Sequence, residues 1–146
     1  MPDMPPQNYQ NHVQRVPGFL ALAAVEFLTI IGAIVNLTHS IDDHSRLYSA
    51  SLIVVLSLCL FFATFFARTF PLKAQDRAIR AEENLRHFAL TGKLLDSRLT
   101  PGQIAAVRFA SDSEFPALAA RAAAENLAPK DIKQAVKNWR ADWHRV

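Results

Sequence analysis

The side chain best placed to do chemistry is Glu26, the one carboxylate in the apolar run PGFLALAAVEFLTIIGAIVNL of residues 17–37. If that run crosses a membrane, Glu26 follows Pro17 by nine residues at about 1.5 Å each, which puts it ~14 Å into a ~30 Å hydrocarbon layer. An ionised carboxylate at that depth costs at least ~2.5–3.5 kcal/mol, so it must face protein or water, or carry a proton. Two uses satisfy this. One is a hydrogen bond between helices, typically ~0.6 and at most ~2 kcal/mol. The other is an ion or proton site in an oligomeric pore.

Helical spacing places Thr29, Ala33 and Asn36 on the face of Glu26. A second apolar run offers Ala50, Ile53, Ser57, Leu60, Thr64 and Ala67, a stripe bearing both mid-span hydroxyls. Folding the chain about residues 42–43 brings Ser57 to the depth of Glu26. The expected bond is therefore Glu26 to Ser57, or Glu26 to a Glu26 and Thr29 of another copy. The second run holds no further charge, and a pore needs more polar lining, so the seam is favoured over the pore.

Elsewhere the chemistry is thinner. His39, Asp42, Asp43 and His44 are ligand types for a divalent ion, but their spacing fits no named site and a short solvated turn explains them equally well. "NLT" at Asn36–Thr38 is a glycosylation sequon that abuts the apolar run, and it is set aside. Lys130, Lys133, Lys137 and Arg140 are expected along one side of a last helix, with Ile132, Val136, Trp139 and Trp143 along the other. Such a face could be solvated, or meet anionic lipid headgroups or nucleic acid. The solvated face is the leading reading, tethering beside a membrane places lipid contact next, and the case for nucleic acid is weak. The four glycines, 18, 32, 92 and 102, build no phosphate loop. No nucleophile has a base nearby and no acid pair stands at a defined spacing, so neither an enzyme nor a cofactor is expected. Cys59 is the single cysteine. It excludes an intramolecular disulfide and behaves as a small hydrophobe within an apolar run.

The elements that must position these groups follow from an uneven composition. Residues 16–67 carry only Glu26, Asp42, Asp43 and Arg46 as charges, whereas residues 68–146 hold 14 Lys/Arg against 9 Asp/Glu. Residues 16–38 and 48–67 each reach the ~20 residues needed to cross a bilayer, and the second has no polar face. A signal peptide is a poor fit, because no basic residue precedes Arg15 and no small-x-small site follows. The connector 39–47, HSIDDHSRL, holds one arginine. Arg68, Lys73, Arg77 and Arg80 follow the second span, which makes both termini cytoplasmic by the positive-inside rule.

The expected fold is an all-α membrane protein: a cytoplasmic segment 1–15, a transmembrane hairpin 16–67 with its outer loop at 39–47, and a small cytoplasmic helical bundle 68–146. In the tail, a helix is expected to leave the second span with little interruption, since Pro71 can sit at a first turn. Asp76–Arg80 and Glu82–Arg86 are acid-first i,i+4 pairs on it. Its Ala74, Ala78, Ala81, Leu85 and Phe88 recur at heptad-like spacing. That stripe predicts self-association. Capping boxes are read at Thr100–Gln103 and Ser111–Glu114, and Pro129 opens the last helix. No segment alternates with period two. A tail of this size makes a marginal core and gains from docking on lipid, partners or other copies.

The C-terminal stretch 99–146, with the strings RFASDSEFPAL and IKQAVKNWRAD, resembles an uncharacterised bacterial family of short membrane proteins, the family of unknown function numbered six-five-two-six. The opening PPQNYQNHVQRVP, with Tyr9, Asn11 and His12, resembles the start of that family. The resemblance covers nearly the whole chain and implies the two-span architecture. It implies no activity and no catalytic residue. The reading at this level is a homo-oligomeric structural or interaction protein of the bacterial inner membrane, with a small ion channel or a tethered nucleic-acid- or lipid-binding module as alternatives.

Overall fold

A computed structural model describes residues 6–143. Among the described residues there are five helices: α1 (Pro17–His39), α2 (His44–Thr91), α3 (Pro101–Val107), α4 (Phe115–Glu125) and α5 (Pro129–Ala135). Two of them, α1 and α2, are long and apolar enough to cross a membrane. The chain divides into two compact units: residues 15–71, and residues 72–146 together with 1–14.

In the first unit α1 and α2 form a hairpin. The residues of α1 withdrawn from the surface are Phe19, Ala23, Glu26, Ile30, Ala33 and Leu37, and Ser40 continues the series just past the helix end. These fall at alternating steps of four and three, the spacing that keeps one seam facing a partner helix. On α2 the matching set is Leu47, Ala50, Val54, Ser57, Phe61, Thr64 and Arg68. Ala33 and Ala50 let the two backbones approach, the role small residues play where helices meet in lipid. Ile53, Leu60 and Ala67, expected in this seam, are exposed instead. The buried stripe is rotated by one residue because it centres on Val54 and Phe61. The turn is closed by Asp43, whose Oδ1 accepts from the backbone N–H of Ser45 at 3.0 Å and that of Arg46 at 3.4 Å, as an N-cap does.

The tail helix continues from the second apolar run as expected, but Pro71 is not at a first turn. It lies inside α2, which runs unbroken from His44 to Thr91. A proline costs a helix one backbone donor, and here the long flanking helical segments carry through that loss. The unit boundary falls at this residue.

In the second unit, α3, α4 and α5 enclose Ile104, Val107, Phe115, Leu118, Ala122 and Ile132. Residues 72–91 of α2 bury Ile79 and Glu83. Gly92, at φ 72°, ends α2 in the left-handed conformation, with its N–H donating to the Phe88 carbonyl at 2.8 Å. The Thr100–Gln103 box forms as expected. The buried Gln103 also uses its amide: Nε2 donates to Asn126 Oδ1 at 3.2 Å and to the Leu127 carbonyl at 2.9 Å. Asn126 is the left-handed cap of α4, so one side chain joins the start of α3 to the end of α4.

The Ser111–Glu114 box does not form. Ser111 Oγ lies 3.0 Å from Ser113 Oγ, and the Glu114 carboxylate turns away to accept from Lys137 N and from Asn138 N and Nδ2. It is drawn there because the last helix is shorter than its periodicity implies. α5 stops at Ala135, Val136 is extended, and Trp139 forms an antiparallel bridge with Ala110. Free backbone donors at 137–138 then take the carboxylate. The N-terminal residues are part of this unit and not a separate segment. Gln7 Oε1 accepts from Asp142 N at 2.8 Å, and Gln14 Nε2 donates to the Trp143 carbonyl at 3.3 Å.

Candidate functional site

Among the described residues, each unit holds one buried acidic group. In the hairpin this is Glu26, 5% exposed. Thr64 Oγ1 donates to Glu26 Oε1 at 2.6 Å, and Glu26 Oε2 is buried with no hydrogen-bond partner.

Ser57 is buried but is not the donor: its hydroxyl returns to the Ile53 carbonyl at 2.7 Å. Matching Cα depths failed because Cα–Cβ bonds tilt toward the helix N-terminus. In an antiparallel hairpin the Glu26 side chain therefore reaches away from the turn, and that of Thr64 reaches back toward it. The two meet although Thr64 is two turns beyond Ser57. Thr29 and Asn36 lie outside the seam, exposed on α1. Thr29 Oγ1 donates to its own helix at Val25 O, 2.8 Å away. Of the five residues expected to form a polar seam, three are withdrawn from the surface, and only Glu26 and Thr64 bond to each other.

In the second unit the buried carboxylate is Glu83, and its environment is the opposite. Arg86 Nη1 donates to Glu83 Oε2 at 3.0 Å, and Arg140 Nη1 lies 3.7 Å from Oε1. Arg86 itself is a hub. Its Nε donates to Asp112 Oδ1 at 2.7 Å, its Nη2 to the Ala110 carbonyl at 2.7 Å and its Nη1 to the Arg108 carbonyl at 3.3 Å. Its guanidinium also stacks 4.4 Å above the Phe115 ring centre. The fork geometry of arginine makes this possible; a lysine could not reach these partners together. Burial pushes the Glu83 carboxyl above its usual value despite the pull of Arg86, Arg140 and Arg108. A cleft of about 180 Å³ lies over this cluster, lined by Ile79, Glu82, Glu83, Arg108, Arg140 and Asp142.

A third cluster involves His12. Its Nδ1 is 2.7 Å from the Tyr9 carbonyl and its Nε2 is 3.2 Å from Lys133 Nζ. A carbonyl only accepts, so Nδ1 carries the proton and Nε2 accepts from the lysine. The ring lies 5.8 Å from both Phe109 and Trp139.

The basic face expected of the last helix is dispersed by these contacts. Lys130 is exposed on α5, Lys133 turns to His12, Lys137 is exposed beyond the helix, and Arg140 reaches Glu83. The candidate loop ligands also separate. His39 Nδ1 lies 2.9 Å from the Val35 carbonyl, and Asp43 pairs with Arg46 at 3.2 Å. The Ser45 hydroxyl holds the Asp43 carboxyl below its usual value. Asp42 and His44 are exposed. Among the described residues, no three His, Cys, Asp or Glu side chains converge as a metal site.

Sequence reasoning missed Glu83, Arg86 and His12. Acid-first i,i+4 spacing pairs Arg86 with Glu82 and passes over Glu83, whereas Arg86 pairs with Glu83 and Asp112. The only signal was the i,i+3 spacing of Glu83 and Arg86 on the side of Ile79. His12 lay in a stretch whose partners are more than a hundred residues away.

The chain matches the model of the family of unknown function DUF6526 over residues 4–146 and belongs to that family. Searches among curated proteins and among solved structures give no match.

Proposed function

We propose that this member of the family is an integral protein of the bacterial inner membrane, a two-span hairpin that displays a cytoplasmic helical domain for interaction and works as a homo-oligomer. The observation that carries this reading is the surface of α1 and α2. Leu20, Val25, Leu28, Ile34, Leu52, Leu56 and Phe62, among others, stand outward at 47–69% exposure. Only 11% of the most apolar window of α1 and 6% of that of α2 are buried. A core helix of a soluble domain would be covered, whereas a helix in lipid finds its solvent there.

The sequence orients the hairpin. Basic residues after the second span keep the tail, and with it the N-terminus, in the cytoplasm. Glu26 bonding Thr64 then acts as a fastener between the spans. Resistance of the full chain to extraction by alkaline carbonate, with release by detergent, tests membrane integration. Extraction without detergent would overturn it.

The alternative of an ion or proton channel has one observation in its favour, the unpartnered Glu26 Oε2. Proton flux in proteoliposomes that is lost in Glu26→Gln would support it; equal leak from both proteins would not. No step of chemistry is assigned to Glu83 or His12.

A further inference from the structure

The helix that leaves the hairpin has two faces with different fates. Ile79, Glu83, Arg86 and His87 face its own domain. Ala74, Ala78, Ala81, Leu85 and Phe88 do not, and Leu85 and Phe88 are 69% and 52% exposed. The stripe steps by 4-3-4-3, the period of a coiled-coil seam. Nothing within the described chain covers it.

From these observations we infer that α2 pairs with α2 of a second copy along this stripe as a parallel, in-register coiled coil. The inference rests on the membrane reading for its direction: two copies inserted the same way present their tails in parallel. In heptad terms Ala74, Ala81 and Phe88 take the d positions, and Ala78 and Leu85 the a positions. The flanking g position holds Arg77 and the e position of the next heptad holds Glu82. In a parallel pair a g residue lies beside the e residue five places on in the other helix, so Arg77 meets Glu82 of the second copy, twice by symmetry.

Both residues are exposed in the protomer, and among the described residues neither takes part in an ion pair. An antiparallel pair centred on Ala81 would set Glu82 against Glu82 and lose both bridges. The charge pattern therefore selects the parallel arrangement over the antiparallel one. Alanine at three of the five core positions permits close helix approach but contributes little burial, so Leu85 and Phe88 supply most of the apolar contact. Confinement to one membrane raises the effective concentration that so short a seam needs.

The test uses the full chain in membranes with Cys59→Ser as background. Single cysteines are introduced at Ala74, Ala81 and Phe88, with Asp76 as a control off the stripe. A parallel pair gives disulfide-linked dimers from each of the first three variants alone and none from D76C. An antiparallel pair links A81C with itself, and links A74C only to F88C when the two are co-expressed, which would overturn the parallel assignment. Absence of self-linkage at Ala74, Ala81 and Phe88 together, with a monomer mass in nanodiscs, overturns the interface itself.

Charge reversal gives a second reading. Arg77→Glu and Glu82→Arg are each expected to weaken the dimer about fivefold, and the double reversal to restore it. If the double variant is as weak as the singles, the Arg77–Glu82 pairing is wrong. Carbonate extraction of the same preparations separates the two proposals, because a chain that still cross-links but extracts without detergent fails the membrane reading and not the interface.

Discussion

The hairpin and the helical domain each bury one glutamate, and they treat it differently. Glu26 has a single hydroxyl donor and an orphan oxygen. Glu83 has Arg86 and Arg140 at its two oxygens, and Arg86 in turn ties down two backbone carbonyls and Asp112. The contrast follows from what surrounds each helix. Within the hairpin unit, α1 faces α2, and Thr64, which bonds Glu26, comes from a seam of small and apolar residues. In the domain, the chain returns to α2 through the 108–112 segment, Phe115 at the start of α4 and Arg140, so several partners converge around one carboxylate. A polar group in the hairpin is thus a local fastener, and the one in the domain is a keystone for three segments.

The largest expected effect breaks the keystone. Arg86→Ala leaves Glu83 buried with only the more distant Arg140 and strips donors from Arg108 O and Ala110 O. The domain should lose about 3–5 kcal/mol, seen as early thermal unfolding and as proteolysis of residues 95–143 in the detergent-solubilised chain. Breaking the hairpin fastener should cost less. Thr64→Val removes the one donor to Glu26, and the loss should be about 0.6–2 kcal/mol, read from unfolding in detergent.

Removing the cap is comparable in size but confined to the domain. Thr100→Ala should cost about 1 kcal/mol, without altering extraction from membranes. The smallest effect is on pH dependence, and it has opposite signs at two carboxylates. Glu83 is raised above 4.5 by burial. Its contribution to stability is therefore fully present below that pH and fades as pH rises through the raised value. Asp96 is held down to about 2 by Arg98. Its contribution is present above 3.8 and is lost as pH falls toward 2. Glu83→Gln should flatten the decline above pH 4.5 in a plot of thermal midpoint against pH, and Asp96→Asn should leave that limb unchanged.

Much of the helical framework was legible in the sequence. The two apolar runs, the Thr100–Gln103 box and the proline at the start of α5 each announce themselves through local chemistry, and those elements are where the residues put them. What was not legible depends on side-chain direction or on distant chain. Ser57 was preferred to Thr64 because residue counting gives Cα depth and not where a side chain reaches. The last helix was extended to Trp143 because its apolar spacing is helical, while the bridge of Trp139 to Ala110 depends on a segment 29 residues earlier. The N-terminal residues looked like an isolated tail because Gln7 and Gln14 bond to Asp142 and Trp143, and His12 meets Lys133, Phe109 and Trp139, all far along the chain.

Topology is the most direct test of the central claim, that the apolar pair spans a membrane and the domain stands on its cytoplasmic side. With Cys59→Ser as background, single cysteines at Asp42 in the turn and Glu125 at the end of α4 are exposed to a membrane-impermeant maleimide on intact spheroplasts. The account predicts that D42C labels at once and that E125C labels only after the membrane is opened. Labelling of E125C from outside while D42C is protected would invert the orientation. Labelling of neither or both, in a chain that alkaline carbonate releases, would contradict the membrane hairpin altogether.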